Sequence, residues 1–118
     1  MKLIGKVVSG LGKGKQFMAM TEYKTQFIKK LGFTPFEGTL NIEIDQELSL
    51  TEPFTTIEGF REFGKIKCHK AKLNSKDVIL IVPEKTRHSR KIIEIISSIE
   101  LRRALNLNDG TVVEIEVL

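Results

Sequence analysis

Hydrophobic and polar residues alternate along several short segments of the chain, a pattern typical of β-strands with one buried face. The clearest alternation covers residues 39–44, where Leu40, Ile42 and Ile44 would face one side and the polar residues between them the other. Residues 56–63 are expected to form a loop. Weaker alternation predicts further strands at residues 2–8, 16–20, 64–73, 77–82, 91–96 and 111–117.

The hydrophobic period changes at Thr21, where apolar side chains begin to recur every three to four residues, as on one face of a helix. We expect a helix from Thr21, acting as the N-cap, to Leu31, with Gly32 as the C-terminal stop. A second, shorter helix is expected to be capped by Ser97 or Ser98.

Six or more short strands, close turns and only two short helices indicate a mainly β protein, folded as a barrel rather than as alternating strands and helices. The 118 residues can bury one hydrophobic core and are too few to form two stable ones. A single domain over residues 1–118 is therefore expected.

The charge balance favours negatively charged partners without selecting among them. Nineteen Lys and Arg residues against fifteen Asp and Glu give a formal charge of +4, which is compatible with nucleic acid, phosphorylated metabolites or nucleotides. The basic residues concentrate at 65–72 and 85–91, and the first of these clusters is best explained as the solvent face of a strand.

The composition argues against several other classes of protein. No apolar run approaches the ~20 residues of a membrane span, and the N-terminus lacks the apolar stretch of a signal peptide, so a soluble, cytoplasmic protein is expected. The single cysteine, Cys68, cannot form an internal disulfide. With only His69 and His88 it cannot build a four-ligand zinc site either.

The segment SGLGKGKQF, residues 9–17, combines three glycines with two lysines directly after the first predicted strand. Closely spaced glycines allow backbone N–H groups to converge on a phosphate, and lysines add positive charge. The segment does not match a Walker loop, which needs Gly-Lys-Ser/Thr at the start of a helix. It does not match a dinucleotide-binding fingerprint either, because Phe17 is expected to continue in extended form, so that residues 2–8 and 16–20 make a hairpin. Taken alone, it fits a phosphate nest and a flexible hairpin turn equally well.

Two further groups of polar residues could carry chemistry. Thr39 and Asn41 would share one strand face, about 7 Å apart at the backbone, and could offer neutral oxygens to Mg²⁺, although an ordinary polar outer face explains them as well. Thr86 and Glu94 are suited to bind hydroxyls or imides of a polar ligand. Arg87 and His88 could contact phosphate. Alternatively, the side chains of residues 85–88 could be exposed to solvent without a role in binding.

Together these segments resemble the archaeal-type CTP-dependent riboflavin kinases over almost the full length of the chain. The resemblance lies in the order and spacing of short motifs. They are Gly10-Leu11-Gly12-Lys13-Gly14-Lys15 with Phe17, Leu31-Gly32-Phe33, Gly38-Thr39-Leu40-Asn41, Thr86-Arg87-His88, Glu94-Ile95-Ile96, Leu101-Arg102 and Leu105-Asn106-Leu107-Asn108-Asp109-Gly110.

The resemblance implies a six-stranded cradle-loop β-barrel, related to RIFT barrels, that transfers the terminal phosphoryl group of CTP to riboflavin, giving FMN and CDP. One Mg²⁺ ion would be bound by Thr39 and Asn41, and flavin by Thr86 and Glu94. Glu94 is also the candidate general base. The nucleotide would contact Gly10, Leu11, Gly12, Lys13, Gly14, Lys15, Ile99, Glu100, Leu101 and Arg102.

The chain departs from the family pattern at three places. Lys85 replaces an expected arginine, Lys13 stands where an acidic residue is common, and Ser97-Ser98 replaces a usual Ala-Pro. These departures leave the implied ligand-binding residues in place, but they make the match to the family's cytidine pocket less complete. No membrane, nucleic-acid or obligate protein partner and no N-terminal DNA-binding segment are expected. The alternative is a small barrel that binds nucleotides or nucleic acid without catalysis.

Overall fold

The computed structural model describes residues 1–10, 13–50, 52–84 and 91–118, apart from the side chain of Lys13. The strands in this part are β1 (Lys2–Val8), β2 (Leu40–Ile44), β3 (Thr55–Ile57), β4 (Ile66–Leu73), β5 (Lys76–Pro83), β6 (Ile92–Ile96) and β7 (Val112–Val117). The helices are α1 (Lys13–Met18), α2 (Thr21–Leu31), α3 (Leu101–Ala104) and a 3₁₀ turn, Arg61–Phe63.

Six strands form a closed antiparallel barrel in the order β4, β5, β6, β2, β1 and β7, and β4 closes it by pairing with β7. The closure uses only the second half of β4, where residues 71–73 pair with residues 115–117. Along the same edge, residues 66–68 pair with the short strand β3. The expected six-stranded barrel is confirmed, with β3 as an additional strand.

Alternation along the barrel strands divides the apolar side chains into two cores. Ile42 of β2 and Leu80 of β5 belong to the core inside the barrel. Ile81, the next residue of β5, belongs to a second core outside the barrel, together with Phe17 of α1 and Phe27 of α2. The outer surface of the sheet is therefore covered by helices along part of its width.

The helix expected over residues 21–31 is confirmed as α2. Gly32 ends it in the left-handed conformation with φ 82°, and its N–H donates to the carbonyl of Ile28 at 3.1 Å. Thr21 is not the N-cap, because it is already the first helical residue. Met20 occupies the cap position without a side-chain hydrogen bond.

The extended run and hairpin expected around residues 16–20 are wrong, because residues 13–18 form the helix α1. Gly14, Phe17 and Met18 are buried, and their spacing of three and four residues places them on one helical face. Phe17 packs against Tyr23 of α2, with ring centroids 5.9 Å apart. Burial of this face in the outer core offsets the low helix propensity of glycine.

Residues 56–63, expected as a loop, contain most of β3 and the 3₁₀ turn. The Tyr23 hydroxyl stabilises this region by accepting the N–H of Phe60 at 3.0 Å and donating to the carbonyl of Gly64 at 2.7 Å.

The short helix after β6 is present as α3, but neither Ser97 nor Ser98 caps it. Glu100 is the N-cap, without a side-chain hydrogen bond, while the Ser97 hydroxyl accepts the N–H of Ile99 at 3.4 Å. None of the helices described is long and apolar enough to cross a membrane.

Candidate functional site

The centre of the candidate site is a row of three residues on adjacent strands. Asn41 of β2 is the cross-strand partner of Val8 on β1 and of Glu94 on β6. Its neighbours Leu40 and Ile42 point into the barrel, so the Asn41 side chain points outward. Nevertheless, Asn41 and Glu94 are only 7% and 6% exposed, which argues against an ordinary solvated strand face.

Thr39 lies on the same outward face, and its hydroxyl donates to a carboxylate oxygen of Glu94 at 3.2 Å. The carbonyl oxygen of Asn41, Oδ1, is buried and has no hydrogen-bond partner in the part of the chain that the structure describes. Leaving such an acceptor unpaired costs about 1–3 kcal/mol. An unpaired oxygen beside a threonine hydroxyl is the type of donor set that binds Mg²⁺, so these residues fit the expected ion.

Two glycines lie directly against this pair. A Cβ atom at Gly10 would lie 2.3 Å from Nδ2 of Asn41, and one at Gly14 would lie 2.4 Å from Oγ1 of Thr39. Both distances are far shorter than any tolerated contact, so the glycines are required by the close approach of Asn41 and Thr39. This geometric reason for the glycines was not apparent from the sequence.

A pocket of about 390 Å³ opens beside these residues. It contains predicted residues from three separate parts of the chain. These are Gly10, Gly14, Lys15, Thr39, Asn41, Glu94, Ile99, Glu100, Leu101 and Arg102. Six further lining residues were not among the predicted contacts: Phe36, Glu37, Gly38, Leu40, Ile95 and Ser97.

Four predicted contacts cannot be placed. Leu11, Gly12 and Thr86 lie outside the described residues, as does the side chain of Lys13. The phosphate nest therefore stays a prediction, as does the contact of Thr86 with flavin.

Asp109, which the sequence analysis named only within the last motif of the family resemblance, connects Arg102 of the pocket lining to the end of β1. Its carboxylate accepts hydrogen bonds from the Ser9 hydroxyl and from Nη2 of Arg102, both at 2.6 Å. The same Nη2 donates to the carbonyl of Val8 at 3.2 Å. The hydrogen bonds from Ser9 and Arg102 lower the pKa of Asp109. The end of β1 is thereby fixed against α3.

The charged residues that line the described part of the pocket are of both signs. Lys15 and Arg102 are positive, whereas Glu37, Glu94 and Glu100 are negative. Nowhere in that part of the chain do three or more His, Cys, Asp or Glu residues form a group that could hold a metal. A metal at Thr39 and Asn41 would thus depend on neutral protein oxygens and on oxygens of a bound ligand.

Comparison with known proteins identifies one family and several relatives. The family model CTP-dep_RFKase, described as domain of unknown function DUF120, matches residues 7–117. Over 99% of this chain, identity is 44% to a riboflavin kinase of Pyrobaculum aerophilum, 38% to one of Archaeoglobus fulgidus and 41% to one of Methanococcus maripaludis. The chain spans 60%, 54% and 100% of those relatives, respectively.

Proposed function

The chain belongs to the CTP-dependent riboflavin kinase family, and we propose that it transfers the terminal phosphoryl group of CTP to the ribityl 5′-hydroxyl of riboflavin. The products would be FMN and CDP. Riboflavin as acceptor is supported by the names of the relatives, including one matched over its whole length. CTP as donor is supported by the name of the family model.

The observation that carries the proposal is the buried, unpaired Oδ1 of Asn41 beside the hydroxyl of Thr39. A hydroxyl can donate one hydrogen bond and still present lone pairs. Thr39 can therefore keep its hydrogen bond to Glu94 while its oxygen faces a cation. The pocket volume of about 390 Å³ is within the range of small-molecule sites.

The balance of charged side chains in the pocket lining favours a reaction in which a bound cation assists. A nucleoside triphosphate is strongly anionic, and the described lining includes three carboxylates against two basic side chains. Thr39 and Asn41 would hold one Mg²⁺ ion, which would supply charge neutralisation on the phosphate oxygens when bound. Lys15, exposed at the pocket, would contribute a further positive charge.

The protein's main contribution to phosphoryl transfer would be positioning, since the transition state is loose and needs little covalent chemistry. Gly10 and Gly14 would let the chain that follows β1 pack directly against Asn41 and Thr39, which keeps the expected metal ligands in place. Glu94 would orient the riboflavin hydroxyl or accept its proton, because its carboxylate lies beside Thr39 at the same wall. Glu94 is therefore a candidate both for binding the flavin substrate and for acting as the general base.

A matched pair of variants tests the proposal. We expect wild-type protein to form FMN from riboflavin, CTP and Mg²⁺, and Asn41→Ala to reduce turnover about a hundredfold, a typical loss for one charge-stabilising contact. Glu43→Ala is the control, because Glu43 lies two residues away on β2 but is exposed.

FMN is measured by chromatography. Absence of FMN with wild-type protein and any nucleoside triphosphate, together with salt-sensitive retention on DNA, would favour the non-catalytic alternative. Equal turnover by wild-type and Asn41→Ala would show that Asn41 does not bind the metal.

A further inference from the structure

Phe36 is an exposed aromatic side chain at the candidate site. It lies in the connection between α2 and β2, lines the pocket, and is 42% exposed. Ile99, in the connection between β6 and α3, lines the same pocket and is 39% exposed. The N–H of Phe36 donates to the carbonyl of Ser97 at 2.8 Å, so the two connections are joined by main-chain bonding.

The surroundings of Phe36 leave its ring available. Gly38 has φ 151°, and a Cβ atom there would lie 3.6 Å from Cε1 of Phe36. The ring is thus bordered by the main chain of Gly38, which has no side chain to cover it. Phe54 has the same exposure, 42%, but its ring lies 5.3 Å from the ammonium group of Lys70 and is not part of the pocket lining.

An exposed phenyl ring and an exposed aliphatic side chain in the lining of one pocket offer apolar surface suited to a flat heteroaromatic ring. Two rings are available under the proposed function, the base of the nucleotide and the ring system of the flavin. Main-chain bonding to Ser97 places Phe36 beside the segment 97–102. Glu94, the residue expected to contact the flavin, lies on the sheet face beside Thr39. This placement favours the base.

We propose that Phe36 is the platform on which the nucleobase stacks, with Ile99 completing the apolar rim. The proposal rests on the proposed function and extends it to a residue that sequence motifs did not single out. Stacking acts on the π-face that every base possesses. Phe36 therefore contributes affinity for nucleotides in general and does not select cytosine over other bases.

Two variants separate this role from binding of the phosphates. Phe36→Ala should weaken binding of CDP with Mg²⁺ about tenfold, the usual scale for loss of one aromatic stacking partner. Binding of inorganic pyrophosphate with Mg²⁺ and the KM for riboflavin should be unchanged, as should the ratio of CTP to ATP turnover. Phe54→Ala is the matched control and should bind CDP like wild-type protein.

A fluorescence measurement provides a direct second test, because the chain has no tryptophan. Phe36→Trp should keep CDP binding and show quenching on addition of CDP but not of pyrophosphate. Phe54→Trp should respond to neither.

The outcomes distinguish the two proposals. If wild-type protein neither binds CDP nor forms FMN, the proposed function fails. If wild-type protein binds CDP and Phe36→Ala binds it equally well, only the platform is overturned. A raised KM for riboflavin with unchanged CDP affinity would also overturn it, by assigning Phe36 to the flavin.

Discussion

At the scale of single residues, the site depends on how closely two glycines approach two polar side chains. Glycine in a helix is less stable than alanine by about 1 kcal/mol, so Gly14 within α1 is locally unfavourable. A Cβ atom at Gly14 would lie only 2.4 Å from Oγ1 of Thr39, which explains why no larger residue fits. The glycine is thus a requirement of the site rather than of the helix.

We expect Gly14→Ala to displace Thr39 or α1. Because the displacement acts on an expected metal ligand, the Mg²⁺ concentration needed for half-maximal turnover should rise at least several-fold. The control Gln16→Ala changes an exposed residue of the same helix and should leave the Mg²⁺ requirement unchanged. A titration of FMN formation with Mg²⁺ checks both, and an unchanged Mg²⁺ requirement in Gly14→Ala would refute the coupling between Gly14 and Thr39.

At the scale of elements, the pocket is assembled from segments far apart in the chain. The glycine-containing segment follows β1, the Thr39–Asn41 pair begins β2, and residues 99–102 precede or begin α3. Asp109 links the first of these to the last through Ser9 and Arg102. These groups are largely exposed, with the Arg102 and Asp109 side chains 37% and 58% accessible, so their contribution to global stability should be small.

Asp109→Ala should therefore affect binding more than folding. We expect the KM for the nucleotide to rise several-fold, with kcat and the KM for riboflavin little changed, because Arg102 and the end of β1 lose their common partner. The melting temperature should stay close to that of wild-type protein. Asp77→Ala, at an exposed position near the start of β5, is the control.

Steady-state kinetics with each substrate varied in turn would show the effect. A loss confined to kcat would argue that Asp109 does not position the nucleotide site.

The sequence predicted elements well where burial produces a regular local pattern. The strand at 39–44 and the helix at 21–31 were found because their apolar residues alternate or recur on one face. α1 was missed because it has only six residues, too few to show a helical period, and includes a glycine that weakens helices. Its conformation is set by packing of Phe17 and Met18 in the outer core, which is a tertiary effect.

At the scale of the whole molecule, the closed barrel explains why distant motifs meet. β2 lies between β1 and β6, which puts Val8, Asn41 and Glu94 in one row although they are far apart in the sequence. The order of the strands follows from long-range pairing and cannot be read from the local pattern of each strand. The roles proposed for Phe36 and Asp109 were not predicted for the same reason, since each depends on contacts between distant segments.

Under the proposed function, this barrel uses a cytidine nucleotide to phosphorylate riboflavin. The expected metal ligands Thr39 and Asn41 and the glycines would act on the phosphates, and Phe36 would stack with any base. The choice of base would then lie elsewhere, and residues 99–102 are the candidate. A wrong base leaves buried polar groups unpaired, at about 1–3 kcal/mol for each group, so two or three such groups give a large preference.

The most direct test is a side-by-side measurement of FMN formation with CTP, ATP and GTP at equal concentration and saturating Mg²⁺. We expect CTP to support the reaction and ATP and GTP to be at least roughly a hundredfold less effective. Comparable rates with ATP would contradict the cytidine assignment, and no FMN with any of the three would contradict the kinase assignment itself.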